Sequence, residues 1–183
     1  MELKISTKMM LAILLFVSWA IFVGLCIEAG AFLVNAVFAL VKPSVVPFLW
    51  QQVDLSDLLA NDKGYFFVVV LLSAIVAAHK AWMFYLIIMA LMKKSISWIQ
   101  PFSVQTKSLV MYLSYLTFAT GLFSSMGAKY VKWLSGQGIK MPDTQSLHLG
   151  SGDVWLFMAV TLLVIGQIFR RGIEIQSENE LTI

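Results

Sequence analysis

Four long runs of apolar residues, each broken or bounded by a few charges, account for most of this chain. Met9 to Ile27 is uncharged, Glu28 interrupts, and Ala29 to Val41 is uncharged again before Pro43 stops the helix. Gly64 to Met92 is a second run, ending at Lys93-Lys94 and carrying His79-Lys80 at its centre. Ser108 to Ala128 lies between Lys107 and Lys129, and Gly152 to Phe169 holds only Asp153 before Arg170-Arg171. None of these runs alternates with the period of a strand. A helix rises about 1.5 Å per residue, so about 20 residues cross a hydrocarbon core of about 30 Å. The pattern predicts an all-α polytopic membrane protein, a four-transmembrane-helix bundle with spans near 9–41, 64–92, 106–128 and 152–175. The first span is longer than the core requires, so it tilts or its last turns stand clear of lipid. Splitting the second run at His79-Lys80 leaves halves too short to cross, which favours one continuous helix.

The segments between the spans are short, so the 183 residues make one membrane domain with a small acidic tail at 176–183. In the connection from Lys42 to Lys63, Leu55, Leu58 and Leu59 fall on one helical face, and Asp54 or Ser56 is placed to cap it. A short helix is expected there, on the bilayer surface or over the bundle. The connection from Lys129 to Ser151 opens with Tyr130 and Trp133, side chains suited to the membrane interface, and turns through Gly136, Gly138 and Pro142. Between the second and third spans, Ser103 is a candidate N-cap with Phe102 as its hydrophobic staple.

Composition agrees with this pattern. Hydrophobic residues make up 60% of the chain, a surface that lipid tolerates and water does not. The mean hydropathy is +0.84. The net charge of +3 comes from cations at the ends of apolar runs rather than from a basic patch interleaved with aromatics, which argues against nucleic acid. Lys4, Lys8, Lys93, Lys94, Lys107, Arg170 and Arg171 would share one side, against Lys42, Lys63, Lys129, Lys132 and Lys140 on the other. The positive-inside rule then places both termini in the cytoplasm of a cell bounded by an inner membrane. A rival reading makes Lys4 and Lys8 the basic region of a signal peptide cleaved near Ala29-Gly30-Ala31. The length of the uncharged run and the position of Glu28 weigh against it.

Candidate chemistry is sparse. Cys26 is the only cysteine, and His79 and His148 stand in no ligand spacing, so no metal or other cofactor is expected. The ten methionines are scattered, not paired as in soft-metal transport. No Ser/His/Asp or comparable grouping suggests a catalytic residue. What remains is polar groups inside apolar runs, where charge is costly and so draws attention. Glu28 shares a face with Gly24, Ala31 and Asn35, and Lys80 shares one with Ser73 and Ala77. Glu28 and Lys80 fall at similar depth. Three readings are open: an ion pair that locks the bundle, a Lys80 that snorkels to the interface, and a proton or solute path through Glu28, His79 and Lys80. Thr117, Gly121 and Ser125 recur every four residues, a spacing that lets helices approach closely. Gln167 is a candidate bridging hydrogen-bonder. Arg170 and Glu174 are an i,i+4 ion pair, and Glu174, Glu178 and Glu180 form an acidic patch on the tail that a partner could contact.

Two motifs carry a resemblance. One is the stretch from Lys93 to Lys107 with Pro101-Phe102-Ser103 leading into the third span. The other is the ending Phe169-Arg170-Arg171-Gly172, Ile173-Glu174-Ile175-Gln176 and Glu178-Asn179-Glu180-Leu181-Thr182-Ile183. Both resemble the bacterial integral membrane family called domain of unknown function 2975, whose members share a Pro-Phe-Ser or Pro-Phe-Thr step and an acidic tail. Here Ile175-Gln176 stands where Leu-Gln is usual, and Glu180-Leu181-Thr182-Ile183 where Asp-Leu-Thr-Val is. The resemblance brings no activity to carry over. Some members look as though they are encoded beside small helix-turn-helix regulators, which would imply a regulatory or envelope-stress setting. From the residues themselves, the leading expectation is a non-enzymatic inner-membrane protein working through protein contacts as sensor or accessory subunit, in the lipid bilayer, with a cytoplasmic or membrane protein partner or a second copy. The alternative is a small transporter or transporter subunit.

Overall fold

The computed structural model describes residues 7–49, 53–93 and 102–180, with residues 7, 179 and 180 described in backbone only. The expectations for Lys4, Trp50, Lys94, Trp98, Ile99, Pro101, the side chain of Glu180 and the last three residues lie outside the described residues. The chain is all-α. Helix α1 is Thr7–Val41, a 3-10 turn covers Pro43–Phe48, and α2 is Ser56–Asn61. Three long helices follow: α3, Lys63–Met92; α4, Val104–Gly136; and α5, Gly152–Glu180. The four long helices are each long and apolar enough to cross a membrane. Helix α1 lies against α3, α3 against α4, and α4 against α5.

The helix starts follow local chemistry. Asp62 caps α3, its Oδ1 accepting from the Tyr65 N–H at 2.9 Å. Ser103 caps α4: its Oγ accepts from the Thr106 N–H at 3.2 Å and lies 2.8 Å from the Thr106 hydroxyl. Phe102 is the expected staple residue. It crosses to α5, edge-on to Phe169 with ring centroids 5.5 Å apart. A Cβ on Gly172 would collide with that ring. At α2 the Asp54 carboxylate accepts from the Ser56 N–H at 3.0 Å, while the residue in the capping position is Leu55.

Two helices outrun the expected spans. Helix α4 continues from Ala128 to Gly136 because its apolar face continues: Val131 and Leu134 are buried while Lys129 and Lys132 face out. Tyr130 and Trp133 stack together, and both meet Tyr65 at the start of α3. Helix α5 runs past Gln176 to Glu180.

The buried core is concentrated at the end of the molecule that carries α2 and the 3-10 turn. Phe32, Ala36 and Ala39 of α1 meet Phe66, Val69 and Val70 of α3, Val46 of the 3-10 turn, and Leu55 and Leu58 beside and on α2. The α2 leucines therefore pack over the bundle. Leu147 and Leu149, from the connection ahead of α5, complete this core and are fully buried. The reason is where α5 begins. Gly152 sits against Ser125 and the carbonyl of Gly121, so α5 starts beside the middle of α4. From Ser125, α4 runs on to Gly136, roughly 16 Å at 1.5 Å per residue. The connecting segment 137–151 must descend that distance, and it inserts two leucines as it does so.

Candidate functional site

The charged residues within the apolar runs meet where the descending segment ends. Thr144 and Gln145 hold its last turn, their carbonyls accepting from the N–H groups of Leu149 at 2.9 Å and His148 at 3.0 Å. His148 and Ser151 both adopt φ of 59°, in the left-handed region where only a few percent of non-glycine residues lie. That conformation turns Leu147 and Leu149 into the core, with the His148 side chain between them in sequence directed at α1. Ser124 of α4 holds the next residue, its hydroxyl donating to the Gly150 carbonyl at 2.9 Å.

Glu28 of α1 receives this histidine. His148 Nε2 lies 3.2 Å from Glu28 Oε2, and both side chains are largely enclosed. The imidazole also meets Phe32 edge-on, one turn along α1. Lys80 of α3 places its ammonium 5.2 Å from the centroid of the Trp155 ring on α5, within cation–π reach. Glu28, Lys80 and His148 are also mutually close enough to interact electrostatically. Burial pushes the His148 imidazole below its ordinary range, the Glu28 carboxylate pulls it back up, and the Lys80 ammonium pushes it further down. The balance favours the neutral imidazole, with Nε2 facing the Glu28 carboxylate. One carboxylate, one ammonium and one neutral imidazole tie together α1, α3, the descending segment and the start of α5.

The structure distributes the sequence candidates unevenly. Glu28 finds His148 as its close polar partner, and Lys80 turns its head to Trp155. His79 stacks on Phe123 of α4, centroids 5.7 Å apart, and its buried Nδ1 has no hydrogen-bond partner among the described residues. Asn35 is buried and donates to the Ala31 carbonyl of its own helix at 2.9 Å. Gly24 is not a point of close approach: nothing lies within 4 Å of where its Cβ would stand, because α1 packs mainly through its second half.

On α4, Gly121 touches Leu156 and Ser125 lies under Gly152. Thr117 faces α3 instead, its hydroxyl donating to the Leu113 carbonyl at 2.6 Å and lying 3.3 Å from Met83 Sδ. The α4–α5 seam also uses Ser114, which donates to the Ala159 carbonyl at 2.9 Å, and Gly127 under Leu149. Gln167 is exposed and makes no side-chain hydrogen bond among the described residues, since the face of α5 that packs on α4 runs through Gly152, Ala159 and Gly166. Glu174 pairs with both Arg170, at 3.2 Å, and Arg171, at 3.1 Å. Glu178 is exposed.

His148 and Trp155 were not singled out from the sequence. A faint signal for the first exists in Leu147-His148-Leu149, an apolar pair bracketing a histidine within an otherwise polar connection. Trp155 carries no such signal, because an aromatic near a helix start usually reads as an interfacial anchor. Among the described residues, no group of three or more His, Cys, Asp or Glu side chains could hold a metal ion.

The family described as Protein of unknown function (DUF2975) matches residues 50–183. The chain belongs to that family. The matched region takes in α2, α3, α4 and α5, and with them Lys80, His148 and Trp155, while Glu28 lies ahead of it. No curated protein and no solved structure matches the chain.

Proposed function

We propose that this DUF2975 member is an inner-membrane accessory or sensor subunit that acts through protein contacts, with both termini in the cytoplasm. The single observation that supports this most is the continuity of α5. One helix runs from Gly152, beside the Glu28–His148–Lys80–Trp155 cluster, to Glu180 at the opposite end. Beyond Gly172, which packs on Phe102 near the start of α4, that helix projects past its neighbour. A change at the polar cluster, whether by proton, ligand or partner, would tilt or rotate α5 as a unit and move the acidic tail. Rigid elements with two arrangements are how such coupling travels.

The test is affinity capture from membranes carrying the intact chain or a chain lacking 174–183. A specific partner retained by the intact chain and lost with the tail supports the reading. The same partners with and without the tail, together with an unchanged phenotype, would sink it.

A second reading is a small transporter or transporter subunit using Glu28, His79 and Lys80. The observation in its favour is the buried His79 Nδ1 without a hydrogen-bond partner among the described residues, a group a passing proton or solute could engage. Four spans are few for alternating access, so this reading calls for a second copy. Proton or solute flux in proteoliposomes that disappears in Lys80→Ala would support it. Flux equal to that of empty liposomes would remove it.

A further inference from the structure

A cavity of about 420 Å³ lies between the 3-10 turn, α2 and the first turn of α3, away from the polar cluster. Its walls are Pro43 and Pro47 with Ser44 from the 3-10 turn and Leu55 and Leu59 with Ser56 from in and beside α2, Phe66 borders it from α3, and Lys63 is the only ionisable side chain lining it among the described residues. Phe66 and Leu55 are buried within the core, so these walls are held by packing. The volume falls in the range of about 300–1,000 Å³ typical of small-molecule pockets. Lys63 is exposed and makes no ion pair among the described residues. Its neighbour Asp62 is already engaged, capping α3 through the Tyr65 N–H.

We propose that this cavity binds a single-chain anionic amphiphile drawn from the membrane, with its hydrocarbon chain against the prolines and leucines and its anionic head on Lys63. Walls that are mostly apolar, with Ser44 and Ser56 as their only neutral polar side chains among the described residues, replace little of the hydration of an inorganic ion or a sugar, so they favour hydrocarbon. One unpaired cation selects a negative head. The surroundings supply the route. Phe48, 87% exposed, adjoins Pro47, and Val41, 77% exposed, lies two residues before Pro43. Leu40, Val37 and Leu33 extend the exposed apolar surface along α1, a helix long and apolar enough to span the bilayer. This exposed apolar surface would give a lipid chain an approach from the acyl region toward the cavity.

The experiment uses the full chain purified in a neutral detergent and native mass spectrometry. The probes are palmitate, palmitoyl lysophosphatidylglycerol, palmitoyl lysophosphatidylcholine and inorganic phosphate. Retention of palmitate and the glycerol lysolipid about tenfold above the choline lysolipid is expected, a difference of about 1.4 kcal/mol. Lys63→Glu, at an exposed position, should erase that preference. Leu59→Trp should fill the cavity and abolish retention of the anionic probes. Thermal melting within a few degrees of the parent shows that each variant is folded. If Leu59→Trp fails that check, Lys63→Glu decides alone. The proposal is overturned by equal retention of the anionic and choline lysolipids, by retention unaffected in Lys63→Glu, or by phosphate competing as well as palmitate does.

Discussion

Glu28 and His148, 120 positions apart in the chain, meet with Oε2 and Nε2 3.2 Å apart. The contact pins the segment leading into α5 to the far helix α1. Helices α1 and α5 otherwise share little of the packing, which runs from α1 to α3 to α4 to α5. Lys80 on Trp155 makes a second tie from α3 to the same end of α5. Together they close what would be an open row of helices.

The first prediction concerns charge balance in this cluster. Glu28→Gln removes the carboxylate that acts on Lys80 among the described residues and weakens the tie to His148, and it should cost about 1–2 kcal/mol, since the groups are enclosed but not wholly dry. Adding Lys80→Met removes the stranded cation and should recover part of that loss. Thermal melting in detergent measures both. A double variant no more stable than the single one would show that the two charges act independently.

A second prediction follows from the lowered proton affinity of His148. Because the folded protein holds this imidazole below its ordinary value of 6.5, its contribution is fully present above that value. As pH falls toward the folded-state value, the unfolded chain takes up the proton first, and the contribution is lost. Melting temperature should therefore drop between pH 7.5 and pH 5, and His148→Gln should flatten the drop. An equal slope in parent and variant would place the titrating group elsewhere.

Glycines along the helices should divide by their surroundings. At Gly152 a Cβ would meet the Ser125 N–H and the Gly121 carbonyl, backbone atoms that cannot swing aside. Gly152→Ala should destabilise by about 1–3 kcal/mol by forcing α4 and α5 apart. At Gly24 a Cβ meets nothing within 4 Å. Gly24→Ala should be neutral or stabilising by up to about 1 kcal/mol through helix propensity. Parallel melts of the two variants decide the point, and a similar loss at both would contradict it.

Orientation is the fourth prediction. Reporter fusions at Lys94 and after the last residue should read cytoplasmic, and fusions near Asp57 and Lys140 should read external, because cations flank the apolar runs on that side more closely, as at Lys93, Lys107, Arg170 and Arg171. A C-terminal reporter active only outside would reverse the topology and remove the acidic tail from the cytoplasm.

In the tail, Glu174→Ala should leave the melting temperature within about 1 °C. Its two arginine pairs are exposed, and exposed pairs contribute little. If the tail binds a partner, the same variant should weaken capture. A large loss of stability would instead assign Glu174 to the fold.

Residues close together in the chain made several of these features legible beforehand. Four low-charge runs matched to a hydrocarbon thickness are enough to predict four helices. Ser103 reads as a cap because its hydroxyl needs only the amide three residues on, and Arg170 and Glu174 pair because one helical turn brings them together. Other features depended on how far the helices slide and rotate against one another. Gly24 and Gly121 look alike in sequence, yet only the second faces a neighbour, since the face a helix buries is set by its packing partner. A Glu28–Lys80 pair was one of three readings open for these charges at similar depth. The structure leaves the two within electrostatic range, but α5 begins at the middle of α4, the segment before it descends to fill the gap, and His148 arrives at the Glu28 carboxylate while Trp155 arrives at Lys80. Hydrophobic period and span length do not contain that offset. It follows from Gly152 and Gly121 letting α5 lie close against the centre of α4, a contact that exists only once both helices are in place.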